Sequence, residues 1–222
     1  MKHFYLWAST AWFSKSGRDV ADVECVADDY SFVADAKAFR LSRTAKNQKD
    51  FKIQAMDGWK RGKPYAMVVC PVYQLPSSKS QIYEQAGARS VCIATYTHLA
   101  VLIRYAEASS KKKAIELVHE VFKTVEAMNP SKDANAYWQI VNRKMLDFDP
   151  EIRDIWQEEK RASIESIYIS KEEALNFLAL ERERILKFSK EQAIKEVLKL
   201  SKIENKMKAI KSVGSNELFG LG

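Results

Sequence analysis

The sequence predicts an α/β (α+β) protein, a small mixed β-sheet flanked by helices and followed by a helical C-terminal portion. Three observations carry this reading. Residues 1–105 mix short β-rich runs with Gly, Pro and Ser breaks, helical periodicity dominates 106–222, and Gly and Pro are scarce, at 7 and 5. At 222 residues and 46% apolar the chain can bury a substantial core without disulfide staples.

The elements follow in order. Residues 4–8 are aromatic-rich and interrupted by Ser9 and Thr10, which suits a packed first element better than a signal h-region. Residues 20–27 and 32–37 read as strands joined by a turn at 28–31, and 41–59 as partly helical. Residues 65–73 read as a strand, 78–87 as a short helix reached through Pro76-Ser77-Ser78, and 91–94 as a buried strand. Beyond these, 111–128, 149–167, 171–187 and 190–211 carry helical spacing, with Ser170 and Ser189 as capping signals. The expected organisation is a sheet-bearing core over 1–105 and a helical portion over 106–222, in one continuous domain.

Charge narrows the partners. The 36 Lys and Arg against 29 Asp and Glu leave +7, which favours a polyanion and makes nucleic acid the first suspect. The tail contributes little of that excess, since residues 150–211 hold 14 basic and 12 acidic side chains, a mixture typical of solvated helix faces. Cys25, Cys70 and Cys92 have no C-x-x-C spacing and lie in apolar runs, which predicts buried thiols in a reducing cytoplasm. No apolar run approaches the roughly 20 residues needed to span a bilayer. His3, His98 and His119 stand apart, so zinc chemistry is unsupported, and His98 reads as a structural or capping histidine. Ser42 has no histidine partner in its neighbourhood, and no P-loop is present.

The hairpin over 22–37 is the most informative stretch. Strand periodicity puts Asp22 and Glu24 on one face of the first strand, and Asp35 and Lys37 on one face of the second. If those faces coincide, carboxylates and an ammonium converge at one end of a sheet whose other face is Val23, Cys25, Ala34 and Ala36. Phosphodiester hydrolysis uses these types: carboxylates hold a hard cation such as Mg²⁺, and a strand-anchored lysine contacts the phosphate and the attacking water. This D…(D/E)-x-K arrangement is the core of a large nuclease superfamily. A solvated strand edge fits the same short pattern.

Immediately downstream, Lys37, Arg40, Arg43, Lys46, Lys49 and Lys52 recur every third residue, with Asp50 the only acid over 36–52. A three-residue step turns about 300° on an α-helix, so these cations would drift around the cylinder. That suits a segment wrapping a polyanion: cations neutralise phosphates, while Ser42, Thr44, Asn47 and Gln48 carry hydrogen bonds able to read base edges. An ordinary basic surface helix is the competing reading.

Residues 33–52, from Val33-Ala34-Asp35-Ala36-Lys37 to Asp50-Phe51-Lys52, closely resemble the active-site and recognition segment of the HindIII family of type II restriction endonucleases, in the PD-(D/E)XK superfamily. Weaker similarity continues through 65–76 and 78–83, at His98-Leu99-Ala100, and around Ala193 and Lys202-Ile203-Glu204. The resemblance implies a restriction-endonuclease-like sheet core, with Asp22 and Asp35 binding Mg²⁺ and Lys37 as the catalytic lysine. Asp50 is implied near the catalytic centre. Arg40, Arg43, Thr44, Ala45, Lys46, Asn47 and Lys49 are implied to contact double-stranded DNA, with Ala45, Asn47 and Lys49 in the major groove of a palindrome expected to be AAGCTT.

It also implies a homodimer with dimer and DNA-backbone contacts in the helical portion, a cytoplasmic enzyme, and a companion DNA methyltransferase. Two departures stand out. Asp22 sits in Ala21-Asp22-Val23 where the family has Gly-Asp-Val, and Asp19 competes for its role. Family members carry a helical region before this hairpin, whereas 21 residues without Glu precede Asp22, so an upstream acidic contribution and part of a dimer contact are expected to be missing. Competing classes are a repair or junction-resolving nuclease on the same core, a sequence-specific DNA-binding protein with impaired catalysis, and a helical interaction module, against which the basic block counts.

Overall fold

The computed structural model describes residues 10–12, 20–37 and 51–212. Strands β1 (Thr10–Trp12), β2 (Val23–Val26), β3 (Ser31–Ala36), β4 (Tyr65–Cys70) and β5 (Val91–Thr95) form one sheet in sequence order. β1, β2 and β3 pair antiparallel, whereas β3, β4 and β5 run parallel. Parallel neighbours require crossovers. Between β3 and β4 comes α1 (Ile53–Trp59), and between β4 and β5 comes α2 (Gln81–Ala88), whose Ser80 cap accepts the Ile82 N–H at 3.3 Å.

The expected strands are all present, with boundaries moved by local chemistry. β4 ends at Cys70 because Pro71 has no N–H for the ladder, and a 3-10 turn over Val72–Gln74 follows. β5 extends to Thr95, which then caps the next helix. β1 is an addition to the expectation, since three residues carry too little pattern to be read. Of the segment 41–59, the part before 51 lies outside the described residues.

Helices α3 (Tyr96–Ala108), α4 (Lys111–Ala127) and α5 (Ala134–Phe148) complete the core. α4 buries Leu117, Val118, Val121, Phe122 and Val125, a 3–4 spacing that turns one stripe inward. Phe122 meets Phe32 and stacks on Tyr65, with ring centroids 5.0 and 4.8 Å away. Tyr30, in the β2–β3 turn, donates to the Ile115 carbonyl at 2.9 Å and stacks on His119 at 4.3 Å, which pins the hairpin to α4. Burial, then the Lys123 charge, lowers the His119 pKa and favours the neutral ring in this stack. On α5, Tyr137 is buried; its hydroxyl accepts the Ile93 N–H at 2.7 Å and donates to the Ile93 carbonyl at 3.1 Å. α5 is an addition to the expectation. Trp138 and Trp156 pack partly buried against the core.

The C-terminal helices correct the expectation. In place of separate helices over 149–167 and 171–187, one helix, α6, runs Glu151–Leu186. Ser170 is therefore interior and caps nothing; with no Gly or Pro nearby, nothing stops propagation. The expected single helix over 190–211 is two, α7 (Lys190–Leu200) and α8 (Ile203–Ser212), parted where Lys202 adopts φ 53°. The Ser189 cap is as expected: its hydroxyl accepts the Gln192 N–H at 3.2 Å while the Gln192 side chain accepts the Ser189 N–H at 2.9 Å.

The chain falls into two compact units, Met1–Glu172 and Glu173–Gly222. The first holds the sheet and the buried core. In the second, no described residue is buried. No helix among the described residues is long and apolar enough to cross a membrane.

Candidate active site

Chain direction makes the site. β3, β4 and β5 are parallel, so their C-terminal ends lie at one edge, where open α/β sheets place their ligands. β2 runs the other way, so its beginning reaches the same edge. The register pairs Val23 with Ala34, and one step further brings Asp22 level with Asp35. Asp22 Oδ2 then accepts the Ala36 N–H at 2.9 Å, fastening the exposed carboxylate to the end of β3.

Asp35 is buried at 4% exposure and Lys37 at 8%, and the Lys37 ammonium forms an ion pair with Asp35 Oδ2. That oxygen accepts no hydrogen bond from any other described residue. A buried carboxylate carries a large desolvation cost, which a neighbouring cation offsets. The Lys37 backbone is equally constrained, since its N–H donates to the Val69 carbonyl at 2.7 Å and continues the parallel ladder one residue past β3. Glu24, on the same face, turns away to Lys63 at 2.8 Å and leaves the site to the two aspartates. Ala36 departs from the expected apolar face: it is exposed, because the sheet ends there, whereas Val23, Cys25 and Ala34 are buried.

The donor set suits a hard divalent cation. No group of three or more His, Cys, Asp or Glu converges among the described residues. Two carboxylates are nevertheless what Mg²⁺ needs, because it retains several waters and completes its shell with substrate phosphate oxygens. The partly satisfied Oδ2 of Asp35 fits such a role. The remaining expected site residues, Asp50, Arg40, Arg43, Thr44, Ala45, Lys46, Asn47 and Lys49, lie outside the described residues, as does Asp19.

One neighbour escaped the sequence reading. Tyr96, the first residue of α3, donates from its hydroxyl to the Lys37 carbonyl at 3.3 Å. Burial, then the proximity of Cys70, Tyr73 and Asp22, raises its pKa and keeps the phenol a donor. His98 completes a capping box with Thr95, as a capping histidine should. Nδ1 accepts the Thr95 N–H at 3.1 Å, which leaves Nε2 to donate to Asn142 Oδ1 at 2.9 Å. Burial lowers its pKa, favouring this neutral tautomer. Cys25 and Cys92 are buried thiols pushed up to about 12 by burial, and Cys70 is buried as well, so none is a nucleophile.

A mixed sheet with an acidic hairpin and an Asp-x-Lys strand at its carboxyl edge defines a restriction-endonuclease-like α/β protein. The sequence is matched from residue 13 to residue 214 by the family model described as HindIII restriction endonuclease, and the chain belongs to that family. It is 33% identical over 204 residues to the type II restriction enzyme HindIII of Haemophilus influenzae, an alignment covering 85% of this chain and 65% of that relative. The chain thus spans less than two thirds of the relative's length.

Proposed function

We propose that this protein is a Mg²⁺-dependent type II restriction endonuclease that hydrolyses phosphodiester bonds in double-stranded DNA at a palindromic hexamer, AAGCTT. The observation that carries this reading is the buried Asp35–Lys37 pair with Asp22 fastened beside it by the Ala36 N–H, in a chain of this family. Asp22 and Asp35 would hold the cation. When bound, Mg²⁺ supplies charge neutralisation at the scissile phosphate and a lowered pKa for the attacking water. Lys37, fixed by the sheet, holds the phosphate and orients that water. This reading assigns Asp50 to the catalytic set, and Arg40, Arg43, Thr44, Ala45, Lys46, Asn47 and Lys49 to the DNA-reading segment.

One active site per chain and a two-fold symmetric target call for a homodimer, with a cytoplasmic location and a companion methyltransferase protecting the host's sites. The test is digestion of a plasmid of known sequence in Mg²⁺, with fragment ends sequenced. Discrete fragments ending at AAGCTT, lost on Asp35→Asn and Lys37→Ala, support the assignment. Unselective fragments would point to a shape-reading nuclease, and hexamer binding without cleavage to an impaired recognition protein.

A further inference from the structure

We propose that Tyr96 is a positioning residue for Lys37, coupling the backbone of that lysine to the β5–α3 corner; this rests on the nuclease reading above. The register sets the need. Cys70 pairs with Thr95 and Ala36 with Val69, so the ends of β3, β4 and β5 form neighbouring rows, with Tyr96 two strands from Lys37. Two strand spacings are about 10 Å. A tyrosine side chain with a hydrogen bond at its tip covers that span, and its hydroxyl reaches the Lys37 carbonyl at 3.3 Å.

The anchor at the other end is firm. Tyr96 follows Thr95, buried at 3%, whose hydroxyl accepts the His98 N–H at 3.2 Å to fix the first turn of α3. Lys37 is thereby held on both sides of its Cα: the N–H by the Val69 carbonyl, the C=O by the Tyr96 hydroxyl. The ladder accounts for the first restraint. The second lies one bond past the ladder, at the end of the Asp-x-Lys strand, where the Tyr96 hydroxyl holds the carbonyl that follows the lysine's Cα.

Tyr96→Phe keeps the ring and removes only the donor. Turnover is expected to fall about tenfold, because small misplacements of a reacting group carry large rate costs, with affinity for an AAGCTT duplex in Ca²⁺ and the melting temperature unchanged. Hydrogen exchange on the metal-free, DNA-free protein reads the same restraint without catalysis. The Lys37 amide is expected to exchange several-fold faster in Tyr96→Phe, with β4 and α3 unaffected. Unchanged Lys37 exchange overturns the proposal, as does a variant that loses DNA affinity while keeping its turnover. If the wild-type chain cleaves no DNA, the nuclease reading fails by itself, and the exchange comparison still decides the role of Tyr96.

Discussion

The unit Met1–Glu172 and the unit Glu173–Gly222 hold their structure by different means. In the first, Val68, Ile93 and Leu117 are 0% exposed, and even the charged pair Asp35 and Lys37 is buried. In the second, Leu180 and Leu200 stand 70% and 75% exposed, and order rests on local devices such as the Ser189 capping box and the Glu181–Arg184 ion pair at 3.0 Å. Burial on all sides permits the first unit to hold a carboxylate against an ammonium in a fixed position; capping and i,i+3 pairs specify a helix but no cavity. A chemical site therefore belongs in the first.

The comparison can be broken most decisively at the site. Asp35→Asn is expected to lower the cleavage rate by about 10³-fold or more, since it removes a cation-holding charge, measured as single-turnover cleavage of a hexamer duplex. Next comes the core. Ile93→Ala is expected to cost about 3 kcal/mol, whereas Leu180→Ala in the tail stays within about 0.5 kcal/mol, both read as urea midpoints at constant m-value. Equal costs would mean the tail is covered in solution.

Smaller still is the cap: Ser189→Ala is expected to destabilise α7 by about 1 kcal/mol, seen as faster exchange of its first-turn amides. Ser170→Ala, inside α6, should change helicity by less than about 0.5 kcal/mol. A pH dependence is expected in the first unit. His98 has a folded pKa below its unfolded 6.5, so the unfolded chain binds the extra proton first. Stability is full above 6.5 and declines as the pH falls from there through the lower folded value. Thermal melts at graded pH check this, and His98→Gln should flatten the slope.

Legibility in the sequence follows the same division. The Asp22, Asp35 and Lys37 faces could be read because strand alternation has a period of two and the hairpin is local. Ser189 was legible as a cap because all its partners lie within three residues. Tyr96 was not legible: its partner is 59 residues away, and only the parallel register brings the two together. α5 was missed because its buried stripe, Ala134, Tyr137, Val141 and Met145, is interleaved with Asn, Gln, Arg and Lys and lacks the dense apolar spacing of α4. Ser170 misled because a serine before acidic residues looks the same whether a helix begins there or passes through.

β5 is the last strand of the sheet among the described residues, and because all of its residues are buried, its outward N–H and C=O groups need partners other than water. At Ile93 both groups are already taken by the single hydroxyl of Tyr137, which acts as a one-residue substitute for a sixth strand. Burial holds that phenol well above the ordinary tyrosine pKa, so it keeps the proton it needs to serve as donor and acceptor together. Tyr137 therefore closes the middle of a buried edge, and the strand can end the described sheet there without an orphaned backbone pair at Ile93.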